Sequence, residues 1–146
     1  MNSEAVIRRL NTLLEAELMA LEFYRIHADA IEEEEIVAGV RAIIPVEHGH
    51  AVSLTTRIIE LGGLPIRPGG EASAKGREMG EISKRQGTPA MLKLELREEE
   101  RAIKGYAEIV ADIEGDLITL DMLEEQLFDE MRHAKWLKEI IQKIQL

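Results

Sequence analysis

The amino-acid sequence predicts an all-α protein, an antiparallel four-helix bundle with a long crossover between its second and third helices. Four long segments repeat apolar residues at alternating steps of three and four, which is the period of a helix with one buried face. A stretch rich in proline and glycine, about residues 63–88, separates the first pair of segments from the second. Each pair carries one Glu-x-x-His quartet on its apolar face, at Glu47–His50 and at Glu130–His133.

Length and composition indicate one globular domain spanning residues 1–146. The chain has 45% apolar and 32% charged residues, no apolar run long enough for a membrane span, and no leader of the secretory kind. It has no cysteine, which excludes disulfides, thiolate metal sites and iron–sulfur clusters. A formal net charge of −10 argues against nucleic acid as a partner. We therefore expect a cytoplasmic protein without membrane or nucleic-acid contacts.

The first helix is expected from about residue 3 to residue 31, with Ser3 as its N-cap. Glu17 lies on its apolar stripe, where a leucine would be expected. An ionised carboxylate there costs several kcal/mol unless it is paired or bound to a metal. The stripe consists of Val6, Leu10, Leu13, Glu17, Ala20, Tyr24, His27 and Ile31.

The second helix is expected from about residue 34 to residue 61, and Gly62-Gly63 should end it. Both members of the first quartet, Glu47 and His50, lie on its stripe. Pro45 lies inside this helix and should kink or locally break it. The bend either aims Glu47 or is a tolerated feature of an outer face, and the sequence leaves both possibilities open.

The second half of the chain repeats the plan of the first. The crossover is expected to hold a short helix near residues 71–84, and its length implies that the second and third helices run parallel. The third helix starts near Pro89, a favoured first-turn position, and carries Glu99 on its stripe. A turn at Gly115 precedes the fourth helix, whose stripe includes the second quartet.

Six residues on these four stripes form the ligand pattern of a dinuclear metal site in a helical bundle. Positions i and i+3 share one helix face, so each quartet presents a carboxylate and an imidazole together. Carboxylate and imidazole are ligands that suit divalent iron and manganese. Any one glutamate alone would be an ordinary surface residue, but six residues in matching places favour metal. The candidate ligands are Glu17, Glu47, His50, Glu99, Glu130 and His133.

Glu95 competes with Glu99 for the ligand position of the third helix. Glu99 lies on the stripe, and it is about as far before the turn at Gly115 as Glu130 is after it. Glu95 would lie roughly 6 Å off that level along the helix. We therefore predict Glu99 as the ligand and keep Glu95 as the alternative.

Tyr24 and His27 follow Glu17 on the stripe of the first helix. Tyr24 is the candidate catalytic residue, since its hydroxyl can hydrogen-bond a ligand carboxylate or donate an electron; a core tyrosine is the alternative. The spacing of Glu17 and Tyr24 recurs in Glu99 and Tyr106, which indicates two hairpins related by an approximate two-fold axis. His27 is expected to be a partly buried polar residue and not a ligand.

Three stretches carry motifs in a recognisable order: Leu10–Leu14 with Glu17 and Tyr24, Glu47–His50 with Leu61–Pro65, and Asp129–His133 with Trp136-Leu137. They resemble the first, second and fourth helices of bacterioferritin, and the resemblance covers nearly the whole chain. It implies a ferritin-like bundle, a di-iron ferroxidase centre and oxidation of Fe(II) by O2 or H2O2. It also implies ligand roles for Glu17, Glu47, His50, Glu130 and His133, and a looser match extends this role to Glu99.

The sequence departs from that family in two places. His48 stands where bacterioferritins have a methionine that binds haem at the dimer axis, so haem is not expected. No segment corresponds to the fifth helix that lines the four-fold pore of the 24-subunit cage. We expect at least a homodimer along the first two helices, with His48 and Gly49 on the outer face of the second. The choice among a dimer, a twelve-subunit shell like that of the Dps-like ferritins and a 24-subunit cage stays open.

The predicted function is therefore ferroxidase-type oxidation at two iron ions, for iron handling or protection against oxidative stress. A rubrerythrin-like peroxidase or a manganese catalase-like enzyme is the alternative among enzymes, with manganese as a possible metal. A metal-free helical interaction module is the alternative outside enzymes. The sequence leaves open the native metal, the oxidant and whether iron is stored.

Overall fold

The computed structural model describes residues 1–145 and confirms the predicted all-α fold. Residues 1–145 contain no strand. Four long helices form the bundle and a shorter one, α3, lies in the crossover. The helices are α1 Ser3–Ala30, α2 Glu34–Glu60, α3 Glu71–Gln86, α4 Thr88–Asp112 and α5 Leu117–Gln145.

The four bundle helices run up, down, down and up, as the long crossover predicts. Tyr24 of α1 contacts Glu99 of α4, and Tyr106 of α4 contacts Glu17 of α1, so these two helices are antiparallel. The polar contacts between α2 and α5 run in the same opposed sense. Because short turns make α1 antiparallel to α2 and α4 antiparallel to α5, α2 and α4 are parallel.

The structure corrects the expected N-cap of α1 and shows no break of α2 at Pro45. The N-cap of α1 is Asn2 and not Ser3, because the Asn2 side chain accepts a hydrogen bond from the Ala5 N–H at 2.9 Å. The helix α2 continues through Pro45 without a break. The proline side chain is exposed, which agrees with a position tolerated on the outer face.

Glycine ends α2 as predicted. Gly62 has a φ of +88°, a conformation that favours glycine. Its N–H donates to the Ile59 carbonyl, and the Gly63 N–H donates to the Ile58 carbonyl, both at 2.9 Å. These two bonds form a Schellman motif, which satisfies carbonyls that the helix end would otherwise leave unpaired.

The crossover helix α3 lies along α1 and in the same direction. A Cβ atom on Gly76 would lie 2.3 Å from the Met19 carbonyl oxygen, and one on Gly80 would lie 3.1 Å from the Phe23 Cα. The two glycines, one helical turn apart, therefore allow the backbones to approach closely. This contact attaches a mostly polar helix to the bundle and carries Ser83 to the face of α1.

Two apolar clusters fill the bundle, one above and one below the level of the candidate ligands. One contains Phe23, Leu92 and Leu137, and the other contains Leu10 and Leu54. A polar layer therefore interrupts an otherwise continuous core. Within the helices that the structure describes, none is long and apolar enough to cross a membrane.

Candidate metal centre

The six predicted ligands converge at the centre of the bundle in two overlapping groups. In each group one candidate ligand atom per residue lies within 4.8 Å of the others. Glu47 and Glu130 belong to both groups, which is the placement of carboxylates that bridge two metal ions. The groups are Glu17, Glu47, His50 and Glu130, and Glu47, Glu99, Glu130 and His133.

The four glutamates are buried and incompletely hydrogen-bonded. Each is at most 2% exposed, and the Oε1 atom of each has no hydrogen-bond partner in the described part of the chain. Burying an unpaired carboxylate oxygen costs free energy that a bound cation can offset. This donor set therefore fits divalent metals with oxygen and nitrogen ligands. The residues are Glu17, Glu47, Glu99 and Glu130.

The pKa values of two glutamates show that a negative charge is unfavourable at this site. Burial, and then repulsion from Glu17, raises the pKa of Glu47 and of Glu130 well above the usual value. These carboxyl groups therefore hold protons that metal binding would displace.

His50 partly balances the carboxylates when no metal is bound. Its Nδ1 lies 3.1 Å from Glu17, 3.3 Å from Glu47 and 3.4 Å from Glu130. Burial alone would lower its pKa, but the close carboxylates of Glu17 and Glu47 raise it to about 10. Its Nε2 lies 2.8 Å from the Asp129 carboxylate, a contact that orients the ring with Nδ1 toward the centre.

His133 faces the same carboxylates from the other side. Its Nδ1 lies 3.4 Å from Glu99, 3.4 Å from Glu130 and 3.6 Å from Glu47. This nitrogen has no hydrogen-bond partner among the described residues. His133 is thus positioned for a metal and has no other partner for that atom.

Two tyrosines hold the outer glutamates in a reciprocal pattern. Tyr24 donates its hydroxyl hydrogen bond to Glu99 at 2.6 Å, and Tyr106 donates to Glu17 at the same distance. Burial, and then the facing carboxylate, raises the pKa of each phenol well above its usual value, so both remain protonated. The predicted hydrogen bond of Tyr24 is present, whereas Tyr106 was missed as a site residue. The recurring seven-residue spacing was the signal that could have found it.

Glu95 is buried, as Glu99 is, but it contacts a different partner. Its Oε2 lies 2.5 Å from the Nδ1 of His27, and the Nε2 of His27 lies 2.7 Å from the Ser83 hydroxyl. Glu95 is in neither metal group. The expectation that His27 is only partly buried is wrong, because this residue is 0% exposed and α3 covers it.

The directions of the hydrogen bonds among Glu95, His27 and Ser83 follow from which groups carry a hydrogen to donate. The Ser83 hydroxyl donates to the Met79 carbonyl at 2.8 Å, so it accepts from the Nε2–H of His27. Burial lowers the pKa of His27 to about 4, while burial and then Glu99 raise that of Glu95 well above its usual range. A protonated Glu95 therefore donates to a neutral His27.

His48 lies away from this centre, on the exposed face of α2. Its neighbour Gly49 is also exposed, and a Cβ atom there would meet no atom of the described chain within 4 Å. The structure thus places both residues on the outer face, as the sequence predicts.

Comparisons with known proteins agree with this geometry. A protein-family model described as a ferritin-like domain matches residues 7–146. The bacterioferritin-related protein from Bacteroides fragilis, a dodecameric thioferritin, has 25% sequence identity and a TM-score of 0.82; the alignment covers 99% of this chain and 88% of that chain. A ferritin-like, di-iron carboxylate protein from Bacillus anthracis str. Ames has 22% identity and a TM-score of 0.71, covering 97% and 99%. The resemblance inferred from the motifs is confirmed at the level of the family, and the chain belongs to the ferritin-like domain family.

Proposed function

We propose that the protein binds two iron ions per chain and oxidises Fe(II) with O2 or H2O2. The observation that carries this proposal is the pair of overlapping donor groups, which share Glu47 and Glu130. A metal-free helical module would have no reason to bury four carboxylates with unpaired oxygens at one level. The whole chain, residues 1–146, acts as one domain in this proposal.

The ligand roles follow from the two groups. Glu17 and His50 would hold one metal, Glu99 and His133 would hold the other, and Glu47 and Glu130 would be shared by both. Four carboxylates carry the charge that two divalent ions neutralise. Iron and manganese both suit these ligands, and we propose iron because the family includes di-iron carboxylate proteins. Haem has no part in this proposal.

Fe(II) is the substrate, and the redox balance is simple. With O2, two Fe(II) and two protons give two Fe(III) and one H2O2; with H2O2, two Fe(II) and two protons give two Fe(III) and two H2O. The protein supplies fixed ligands and a largely dry interior. Tyr24 takes its proposed catalytic role through the hydrogen bond that holds Glu99 in place.

This chemistry suits iron handling or protection against oxidants, and we place it in the cytoplasm. We also propose that the protein is a homo-oligomer of at least two chains, as the Bacteroides fragilis relative is dodecameric. The exposed apolar side chains Val52 and Ile59 on α2 suit a contact between copies, and Gly49 on the same helix leaves open space. Gly49→Trp should shift the sedimentation of the oligomer toward smaller species, and an unchanged oligomer would place the interface elsewhere.

The oxidation chemistry is tested by adding two equivalents of Fe(II) per chain without oxygen and then adding O2 or H2O2. We expect rapid formation of two Fe(III) per oxidant consumed. Glu47→Gln should abolish the rapid phase, while Glu60→Gln, an exposed glutamate of the same helix, should retain it. Disproportionation of H2O2 by manganese-loaded protein without Fe(II) oxidation would favour the catalase-like alternative. Failure to bind any metal would favour the metal-free module.

A further inference from the structure

A cavity of about 170 Å³ lies between α1 and α4 and reaches the candidate metal centre. Its side walls are apolar: α4 contributes Ala102 and Gly105, and α1 contributes the small residues Ala16 and Ala20 and the larger Leu13 and Phe23. The four glutamates of the centre line its inner end. The Oε1 atom of each of these glutamates has no hydrogen-bond partner in the described part of the chain.

The outer end of the cavity meets solvent. Thr12 and Arg101 at its rim are exposed, and Ala16 and Ala102 are partly exposed. Glu98, the one carboxylate at the rim, is paired with Arg97 at 3.2 Å and with Arg101 at 3.6 Å. The rim therefore presents little unbalanced charge, and the walls present methyl groups and backbone.

We propose that this α1–α4 cavity is the passage by which a small uncharged oxidant, O2 or H2O2, reaches the metal centre. The inference rests on the proposed function and names the route of one substrate. Methyl-lined walls offer no groups to replace the water shell of a cation, so a hydrated metal ion is excluded by desolvation cost. An anion meets the same desolvation cost on these walls. A small neutral molecule does not.

A second opening, on the opposite side of the bundle, has a different character. A groove between α2 and α5 is lined by Glu125, Gln126 and Asp129, and it ends at His50. Arg132 also lines this groove, and Asp129 is paired with both His50 and Arg132. Because its lining is polar and charged, the groove is the matched control for the apolar α1–α4 passage. Ser53 lies in its wall.

The passage is tested by filling it from either wall. Ala102→Phe should lower the rate of Fe(II) oxidation at limiting O2 by roughly tenfold or more. Ala16→Phe, from the opposite wall, should do the same, so that one poorly folding variant leaves the test intact. Both variants should bind Co(II) with the stoichiometry and affinity of the parent. Ser53→Phe in the control groove should leave the O2 dependence unchanged.

A second readout needs no metal. Apolar cavities of about 150 Å³ bind xenon, so crystals of the metal-free parent under xenon should show it between Ala16 and Ala102. Crystals of Ala102→Phe should not. An unchanged O2 dependence in both filled variants, or a parent cavity that takes up no xenon, would overturn the passage. A parent that binds no Co(II) would overturn the proposed function instead, whatever the xenon result.

Discussion

The protein contains two helical hairpins, α1–α2 and α4–α5. Their residues correspond at the candidate metal centre and differ one helical turn away from it. Glu17, Glu47, His50 and Tyr24 of the first hairpin correspond to Glu99, Glu130, His133 and Tyr106 of the second. Each tyrosine donates to the outer glutamate of the other hairpin at 2.6 Å. The groups proposed to touch metal therefore follow an approximate two-fold axis.

The supporting residues break that symmetry. The position one turn before the outer glutamate is Leu13 in α1 but Glu95 in α4, and the position three after the tyrosine is Ile109 in α4 but His27 in α1. Leu13 and Ile109 lie in an apolar cluster, whereas His27 and Glu95 form a buried hydrogen-bonded pair. The corresponding positions thus hold apolar residues on one side of the site and a polar pair on the other.

The largest effect should separate the two glutamates of α4. Glu99→Ala removes a proposed ligand and should lower the rate of rapid Fe(II) oxidation by roughly 100-fold. Glu95→Ala leaves the six proposed ligands in place and should retain rapid oxidation. Stopped-flow measurement of Fe(III) formation checks both, with circular dichroism as the control for folding. The reverse ranking would move the ligand by one helical turn and contradict the level assigned to the site.

Replacing the polar pair with its apolar counterpart sharpens the comparison. His27→Ile or Glu95→Leu alone leaves a buried polar group without its partner and should lower the free energy of unfolding by about 2–3 kcal/mol. The double variant, which copies Ile109 and Leu13, should recover to within about 1 kcal/mol of the parent. Urea unfolding of the metal-free proteins measures this cycle. Additive losses would show that the pair is not the unit described here.

Asp129 provides a second break in the symmetry. It lies 2.8 Å from the Nε2 of His50, whereas the corresponding position before Glu47 is Val46, which has no acceptor side chain. Asp129→Val should lower the binding affinity for one of the two metal ions by about 10–100-fold and leave the affinity for the other nearly unchanged. Calorimetric titration with Co(II) checks this, and Val46→Ala is the matched control. Equal weakening of both metals would mean that Asp129 supports the whole site.

The smallest effect is a pH dependence that the polar pair contributes. The native pair holds one proton, because the pKa of His27 is lowered to about 4 and that of Glu95 is raised well above 4.5. In the unfolded chain the ordinary values of 6.5 and 4.5 apply, so between them the unfolded pair also holds one proton. The contribution of the pair to the free energy of unfolding therefore does not change with pH between 4.5 and 6.5.

Above pH 6.5 the unfolded His27 loses its proton, whereas the native pair keeps its proton up to the raised pKa of Glu95. The unfolding free energy of the parent relative to the double variant should then fall by about 1.4 kcal/mol per pH unit. Below pH 4.5 the unfolded Glu95 takes up a proton, and stability falls again until His27 charges near pH 4. Denaturant unfolding of both proteins across this range measures the difference. A rise in relative stability above pH 6.5 would contradict the neutral state of the pair.

The bundle, the crossover helix and the meeting of the six candidate ligands could be predicted because hydrophobic periodicity reports directly which face of a helix is buried. A glutamate on an apolar stripe is conspicuous for the same reason. Tyr106 and Asp129 were missed as site residues because their roles depend on atoms of another helix. His27 was predicted to be only partly buried, because nothing in its own helix shows that α3 covers it. That cover depends on Gly76 and Gly80, whose close contact with α1 is not visible in the sequence of the crossover helix.

The central claim is a dinuclear site that shares two glutamates, and its most direct test is an anaerobic Co(II) titration of the metal-free protein. The absorption of bound Co(II) should rise until two equivalents per chain are present and then stop, because the two donor groups overlap in Glu47 and Glu130. Glu130→Gln should weaken the binding of both Co(II) ions together, since a shared carboxylate serves both ions. Saturation at one equivalent, or loss of one ion alone in Glu130→Gln, would contradict a shared dinuclear centre.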